Sequence, residues 1–97
     1  MFRVAVVVLG VAITSEAIAQ TGIPACDSWL AKWDDCIDKL PEILQDDFAT
    51  INGKQRQDLL DHIRRDPKAK PGLAQFCKLM NDSSRKAKSF QEYGCRF

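Results

Sequence analysis

The stretch CDSWLAKWDDC, residues 26–36, places two cysteines and two tryptophans close together among charged residues. When residues 24–40 are placed on a helix at about 100° per residue, both cysteines and every large apolar side chain fall within one stripe about 120° wide. The aspartates and lysines lie outside this stripe. Pro24 suits a first helical turn, and Pro41 marks the next boundary. The stretch therefore predicts an amphipathic helix whose two thiols lie on its buried edge.

The chain of 97 residues contains four cysteines and one histidine. Zinc sites usually place their ligands two to four residues apart and often include histidines, which these widely spaced cysteines do not match. There is also no C-x-x-C pair of the redox type. We therefore expect no metal, no cofactor and two disulfides, formed by four residues: Cys26, Cys36, Cys77 and Cys95.

The first twenty residues, MFRVAVVVLGVAITSEAIAQ, have the pattern of an export signal. Arg3 precedes an apolar run over residues 4–13, and Ala17-Ile18-Ala19 provides the small residues that a signal peptidase requires. The run is too short to cross a bilayer core, which takes about 20 apolar residues. We expect residues 1–19 to be removed, leaving one periplasmic or secreted domain over residues 20–97 without a transmembrane segment. Two disulfides fit that oxidising environment and compensate for a small core.

A second helix is predicted to begin at Pro41-Glu42, with a proline and an acidic residue in its first turn. Its apolar stripe changes phase near Asn52-Gly53, which predicts a kink or a break there. A continuous path is favoured over a reversal, because one glycine within a helix costs only about 1 kcal/mol. The two segments of the stripe are Ile43, Leu44, Phe48 and Ile51, and then Leu59, Leu60 and Ile63.

A third helix is predicted over residues 71–93, after a polar linker. Gly94 suits the left-handed position that follows a helix end. The sequence contains no internal repeat and no strand-like alternation. It therefore predicts an all-α domain, a small three-helix bundle stapled by two disulfides. The apolar stripe of this third helix is Leu73, Phe76, Cys77, Met80, Ser84 and Ala87.

The lengths of the helices favour one disulfide pairing. In an up-down-up bundle the first and third helices are parallel, and a rise of 1.5 Å per residue brings the cysteines level in pairs, to within about 6 Å. This geometry predicts Cys26–Cys77 and Cys36–Cys95. If Asn52-Gly53 reversed the chain, Cys36 would instead meet Cys77.

The net charge of +1 conceals an asymmetry between the two parts of the domain. Residues 20–52 contain seven acidic and two basic residues, whereas residues 53–97 contain five acidic and eleven basic ones. Either oppositely charged helices attract one another within the bundle, or a basic face binds an anionic partner. Nucleic acid is not expected as a partner of an exported protein. The candidate binding surface on the third helix comprises Lys78, Arg85, Lys86 and Lys88.

Two other groups of residues are candidate sites. Trp29 and Trp33 could line a ligand pocket, because binding pockets are usually rich in aromatic side chains. His62 is spaced four residues from Asp58 and from Asp66, so the three side chains could share one side of a helix. His62 is either a functional residue, as a general base or a pH sensor, or a partly exposed histidine that hydrogen-bonds to a carboxylate. No catalytic residue is predicted from this arrangement.

These observations predict a non-enzymatic helical module that binds another periplasmic protein or an anionic surface. One alternative is a periplasmic acid-stress chaperone, because protonation of the many carboxylates would leave a positively charged, loosened bundle. A small hydrolase-type enzyme using His62 is the third hypothesis.

Three segments of the chain resemble a group of small exported bacterial proteins with four cysteines and no assigned function. The segments are IPACDSWLAKWDDCIDKLP, LAQFCK and the C-terminal YGCRF. The resemblance implies a helical, four-cysteine domain and assigns no activity or functional residue. It departs most at INGKQRQ, which is one residue longer here. A looser similarity is to periplasmic acid-stress chaperones, which are small, helical and have a single disulfide.

Overall fold

The computed structural model describes residues 21–97, which form an all-α domain, so the predicted signal peptide and its cleavage site lie outside the described residues. Three main helices pack together, and the domain contains two disulfides, as the sequence predicted. No helix within residues 21–97 has the length and apolar character needed to cross a membrane. In chain order the elements are α1 (Pro24–Lys39), α2 (Glu42–Arg65), a 3-10 turn (Pro67–Ala69), α3 (Lys70–Lys86) and α4 (Lys88–Glu92).

Helix α1 is the central element of the domain. It packs against both α2 and α3, whereas α2 and α3 make few close approaches to each other. The apolar stripe predicted for α1 is confirmed, because its apolar side chains form most of the core. The buried residues of this helix are Cys26, Trp29, Leu30, Trp33, Cys36 and Ile37.

Both predicted disulfides are confirmed. Cys26 pairs with Cys77 across the contact between α1 and α3, and Cys36 pairs with Cys95 beyond the end of α4. The Cα–Cα distances are 5.0 Å and 4.8 Å, within the usual range for disulfides. All four cysteines are bonded, and α2 contains none of them. Helix α2 is therefore held to the rest of the domain by noncovalent contacts and by its flanking loops.

Helix α2 runs without interruption through Asn52-Gly53, which confirms the continuous path. The predicted stripe is wrong in part, because Ile43 is 85% exposed and Ile51 is 47% exposed. Asn52 is buried instead, and its Nδ2 donates a hydrogen bond of 2.6 Å to Oδ1 of Asp34 on α1. When Ile43 and Ile51 are left out of the buried stripe of α2 and Asn52 is included, the apparent change of phase disappears. The observed inner face comprises Leu44, Phe48, Asn52, Leu59 and Ile63, spanning about 100° of the helix.

The predicted single helix over residues 71–93 is interrupted. Helix α3 ends at Lys86, and Ala87 adopts extended backbone angles before the short helix α4 begins. Within α3, the Ser84 hydroxyl donates a 2.8 Å hydrogen bond to the Met80 carbonyl, a local bond that often bends helices. After α4, Gly94 has a φ of +81°, which confirms the left-handed position predicted there.

Beyond the interruption, the C-terminal segment closes one end of the core with aromatic side chains. The ring centroids of Trp33 and Phe90 are 5.4 Å apart in an edge-to-face arrangement. Phe48 of α2 and Phe97 lie 6.0 Å and 6.5 Å from Trp33. We call these four residues the aromatic cluster. It connects α1, α2 and the C-terminal segment next to the Cys36–Cys95 disulfide.

Candidate binding groove

An open groove of about 400 Å³ lies between α2 and α3, with Trp29 of α1 at its base. It exists because α1 separates the two outer helices, which diverge without packing closely on each other. Spacings of three and four residues place its lining side chains on one side of each outer helix. The lining consists of Gln55, Asp58, Leu59 and His62 from α2, Leu73 and Phe76 from α3, and Trp29.

The aromatic part of the groove is formed by Trp29 and Phe76. Their ring centroids are 6.4 Å apart and their planes are nearly perpendicular, at 88°. Trp29 is almost fully buried, and its Nε1 donates a 3.3 Å hydrogen bond to the Ser84 hydroxyl. Phe76 remains 46% exposed. The half-exposed phenyl ring of Phe76, supported by the buried indole of Trp29, therefore presents apolar surface to a ligand in the groove.

The polar part of the groove lies on α2. Asp58 and His62 both line it, as their spacing predicted, but Asp66 does not. The carboxylate of Asp66 instead accepts a 3.2 Å hydrogen bond from the backbone N–H of Lys68 in the 3-10 turn. No hydrogen bond joins His62 to either carboxylate within residues 21–97. The groove thus has one wall with titratable groups and one apolar wall.

The two tryptophans proposed to share a pocket lie in different environments. Trp29 is at the base of the groove, whereas Trp33 belongs to the aromatic cluster and is not part of the groove lining. Sequence reasoning did not combine Leu59, Leu73 and Phe76 with Trp29. The apolar stripe of each helix could be recognised in the sequence. The angle between α2 and α3, which brings these residues together, could not.

The four basic residues of the candidate surface are all exposed, but they do not form one uniform patch. Arg85 forms a 2.7 Å ion pair with Asp82 on the same helix. Lys78 lies with Lys32 of α1 along a second, shallower cleft of about 300 Å³. Lys86 ends α3, and Lys88 begins α4 beyond the interruption at Ala87. Binding of an anionic surface by these residues stays a prediction.

Charge attraction between helices is limited to a single ion pair within residues 21–97. Arg56 of α2 contacts Asp34 of α1 at 3.1 Å, and the other ion pairs lie within individual helices. Asp34 also accepts the hydrogen bond from Asn52. The attraction between acidic and basic segments therefore acts mainly at this contact between α1 and α2.

The disulfides and the arrangement of potential metal ligands restrict the class of protein. Disulfides such as these are typical of an oxidising environment outside the cytoplasm. Within residues 21–97, no group of three or more His, Cys, Asp or Glu residues is arranged to hold a metal ion. The structure confirms the small helical, four-cysteine domain that the resemblance implied and shows its cysteines in two disulfides. Membership of that group stays a prediction. In comparisons with protein-family models, curated proteins and solved structures, no match to this chain is found.

Proposed function

We propose that the chain is an exported, non-enzymatic binding domain, periplasmic or secreted, that holds its ligand in the groove between α2 and α3. The observation that carries this proposal is the half-exposed Phe76 beside the buried Trp29, in a groove of about 400 Å³. Small-molecule sites are commonly concavities of 300–1,000 Å³, lined by apolar and aromatic side chains with a few polar groups. The lining of the groove has this composition.

The scaffold supports such a role because the groove is built on restrained elements. The Cys26–Cys77 disulfide joins α1 to α3 one residue after Phe76. The hydrogen bond from Trp29 to Ser84 fixes the indole at the base. A preorganised site loses less side-chain freedom on binding than a mobile one, which favours affinity.

The test uses an uncharged probe, 4-phenylbutanol, titrated into the oxidised protein and followed by ¹H–¹⁵N chemical shifts. We expect the largest shifts at the Trp29 indole N–H and at the backbone amides of Leu59, Leu73 and Phe76. The Phe76→Ala variant should bind about fivefold more weakly, because about 1 kcal/mol of apolar contact is lost. Leu79→Ala is the matched control, since Leu79 is an exposed apolar residue of α3 outside the groove. Equal weakening in both variants, or shifts spread over the whole surface, would contradict the proposal.

The acid-stress chaperone is a second candidate, favoured by the placement of the disulfides. Neither disulfide involves α2. The Arg56–Asp34 ion pair between α1 and α2 requires an ionised carboxylate. At about pH 2–3 carboxylates are generally protonated, so this contact would weaken. Release of α2 would expose apolar surface of α1 while the disulfides keep α1 and α3 together.

For this candidate we expect the protein to suppress light scattering by an aggregating client protein at about pH 2–3, and not at pH 7. Binding of an apolar dye should rise over the same change of pH. The matched control is the Asp34→Asn variant, which removes the charge at Asp34 and should shift the onset of dye binding towards neutral pH. A client that aggregates regardless, with no rise in dye binding, would rule the chaperone out.

A further inference from the structure

The charge of the groove restricts what it can hold. Among residues 21–97, Asp58 is the only acidic residue that lines the groove, and no lysine or arginine of this part of the chain lines it. Its carboxylate is exposed and forms no ion pair with any basic side chain within residues 21–97. His62, one turn further along α2, is the other titratable group of the lining. Asp58 therefore supplies the one carboxylate of the described lining, and no lysine or arginine of the described lining opposes it.

The aromatic side chains complement that charge. Cations are attracted to the faces of aromatic rings, by about 0.5–1 kcal/mol at exposed positions. Phe76 offers such a surface at 46% exposure, and Trp29 stands perpendicular to it. Leu73 on the same helix as Phe76, and Leu59 on α2 across the groove, would contact the apolar part of a ligand. The anionic group of a ligand would meet Asp58 as a like charge and would not be attracted to the face of the Phe76 ring.

This inference rests on the proposed function: we infer that the groove selects amphiphilic amines. The ammonium group would lie beside Asp58 and the exposed ring of Phe76, and the apolar body would lie against Leu59, Leu73 and Phe76. The volume of about 400 Å³ corresponds to a small molecule. The helix of a protein partner would need apolar anchors along two turns or more of a longer groove. The occupant is thus a small organic cation.

Three probes with the same phenylbutyl body separate charge from apolar contact: 4-phenylbutylamine, 4-phenylbutanol and 4-phenylbutyrate, at pH 8. We expect the amine, protonated at this pH, to bind about fivefold more tightly than the alcohol, and the carboxylate to bind most weakly. In Asp58→Asn the amine should fall to the affinity of the alcohol, while the alcohol itself is unaffected. The matched control is Asp61→Asn, which removes the same charge from a residue that is paired with Arg64 and does not line the groove.

The outcomes distinguish this inference from the proposal on which it rests. If all three probes bind equally and all weaken in Phe76→Ala, the groove is a binding site without selectivity for amines, and only the inference fails. If the carboxylate binds most tightly, or if Asp58→Asn and Asp61→Asn weaken amine binding equally, the inference is also wrong. If none of the probes binds, the proposed function and the inference fail together.

Discussion

Replacing either pair of bonded cysteines by alanine is expected to lower the free energy of unfolding by about 4 kcal/mol. The disulfides close loops with sequence separations of 51 and 59 residues. In the chain-entropy model, loops of these lengths each stabilise the folded state by about 4 kcal/mol, and the two contributions differ by only about 0.1 kcal/mol. Small domains typically have a total stability of 5–15 kcal/mol, so each loss is a large part of the whole.

The measurement is urea-induced unfolding of the double variants Cys26→Ala/Cys77→Ala and Cys36→Ala/Cys95→Ala, monitored by tryptophan fluorescence. Because Cys26 and Cys77 are fully buried whereas Cys95 lies nearer the surface, the first variant should lose additional packing energy. Non-reducing peptide mapping of the parent protein provides the control for pairing and should detect no free thiol. If both variants unfold within 1 kcal/mol of the parent, restriction of the unfolded chain is not what stabilises this domain.

The disulfide pairing could be predicted from the sequence because it depends on regular geometry. The rise per residue of a helix is nearly constant, so a topology and a set of helix lengths place the cysteines at defined heights. The stripe of α1 was equally predictable, since its large apolar residues follow the helical period with few exceptions. In both cases local periodicity and tertiary packing favour the same arrangement, and this agreement allows the structure to be predicted from the sequence.

The errors arose where a contact between distant residues decides the local structure. Asn52 is buried, and the more apolar Ile51 is exposed, because the Asn52 side chain donates a hydrogen bond to Asp34 across the contact between α2 and α1. The interruption at Ala87 lies between two lysines, in a segment that local preference would keep helical. It is followed directly by the segment in which Phe90 packs on Trp33 and Cys95 bonds to Cys36.

In the groove, too, features set by local periodicity could be predicted, and features set by contacts between distant residues could not. The shared side of Asp58 and His62 follows from their spacing on α2 and was predicted. The placement of Phe76 opposite them depends on how far α2 and α3 diverge around α1, which no pattern within either helix records. Trp29 and Trp33, four residues apart on α1, were expected to act together. They face different partners because α3 covers one of them and the C-terminal segment covers the other.

Truncating Leu30 to alanine is expected to destabilise the domain by about 3 kcal/mol or more, through lost apolar contact and the cavity left behind. Leu30 is fully buried and lies on α1 between the bonded Cys26 and Cys36, and this cross-linking limits how far the surrounding structure can relax. Leu79→Ala is a closely matched control, because it makes the same change within a helix at a position that is 65% exposed. Its effect should stay within about 0.5 kcal/mol. Thermal unfolding would separate the two variants clearly, since 1 kcal/mol corresponds to about 4–8 °C in a domain of this size. Equal losses in both variants would mean that Leu79 is covered in solution, for example by a second copy of the chain, and that the outer face of α3 is an interface.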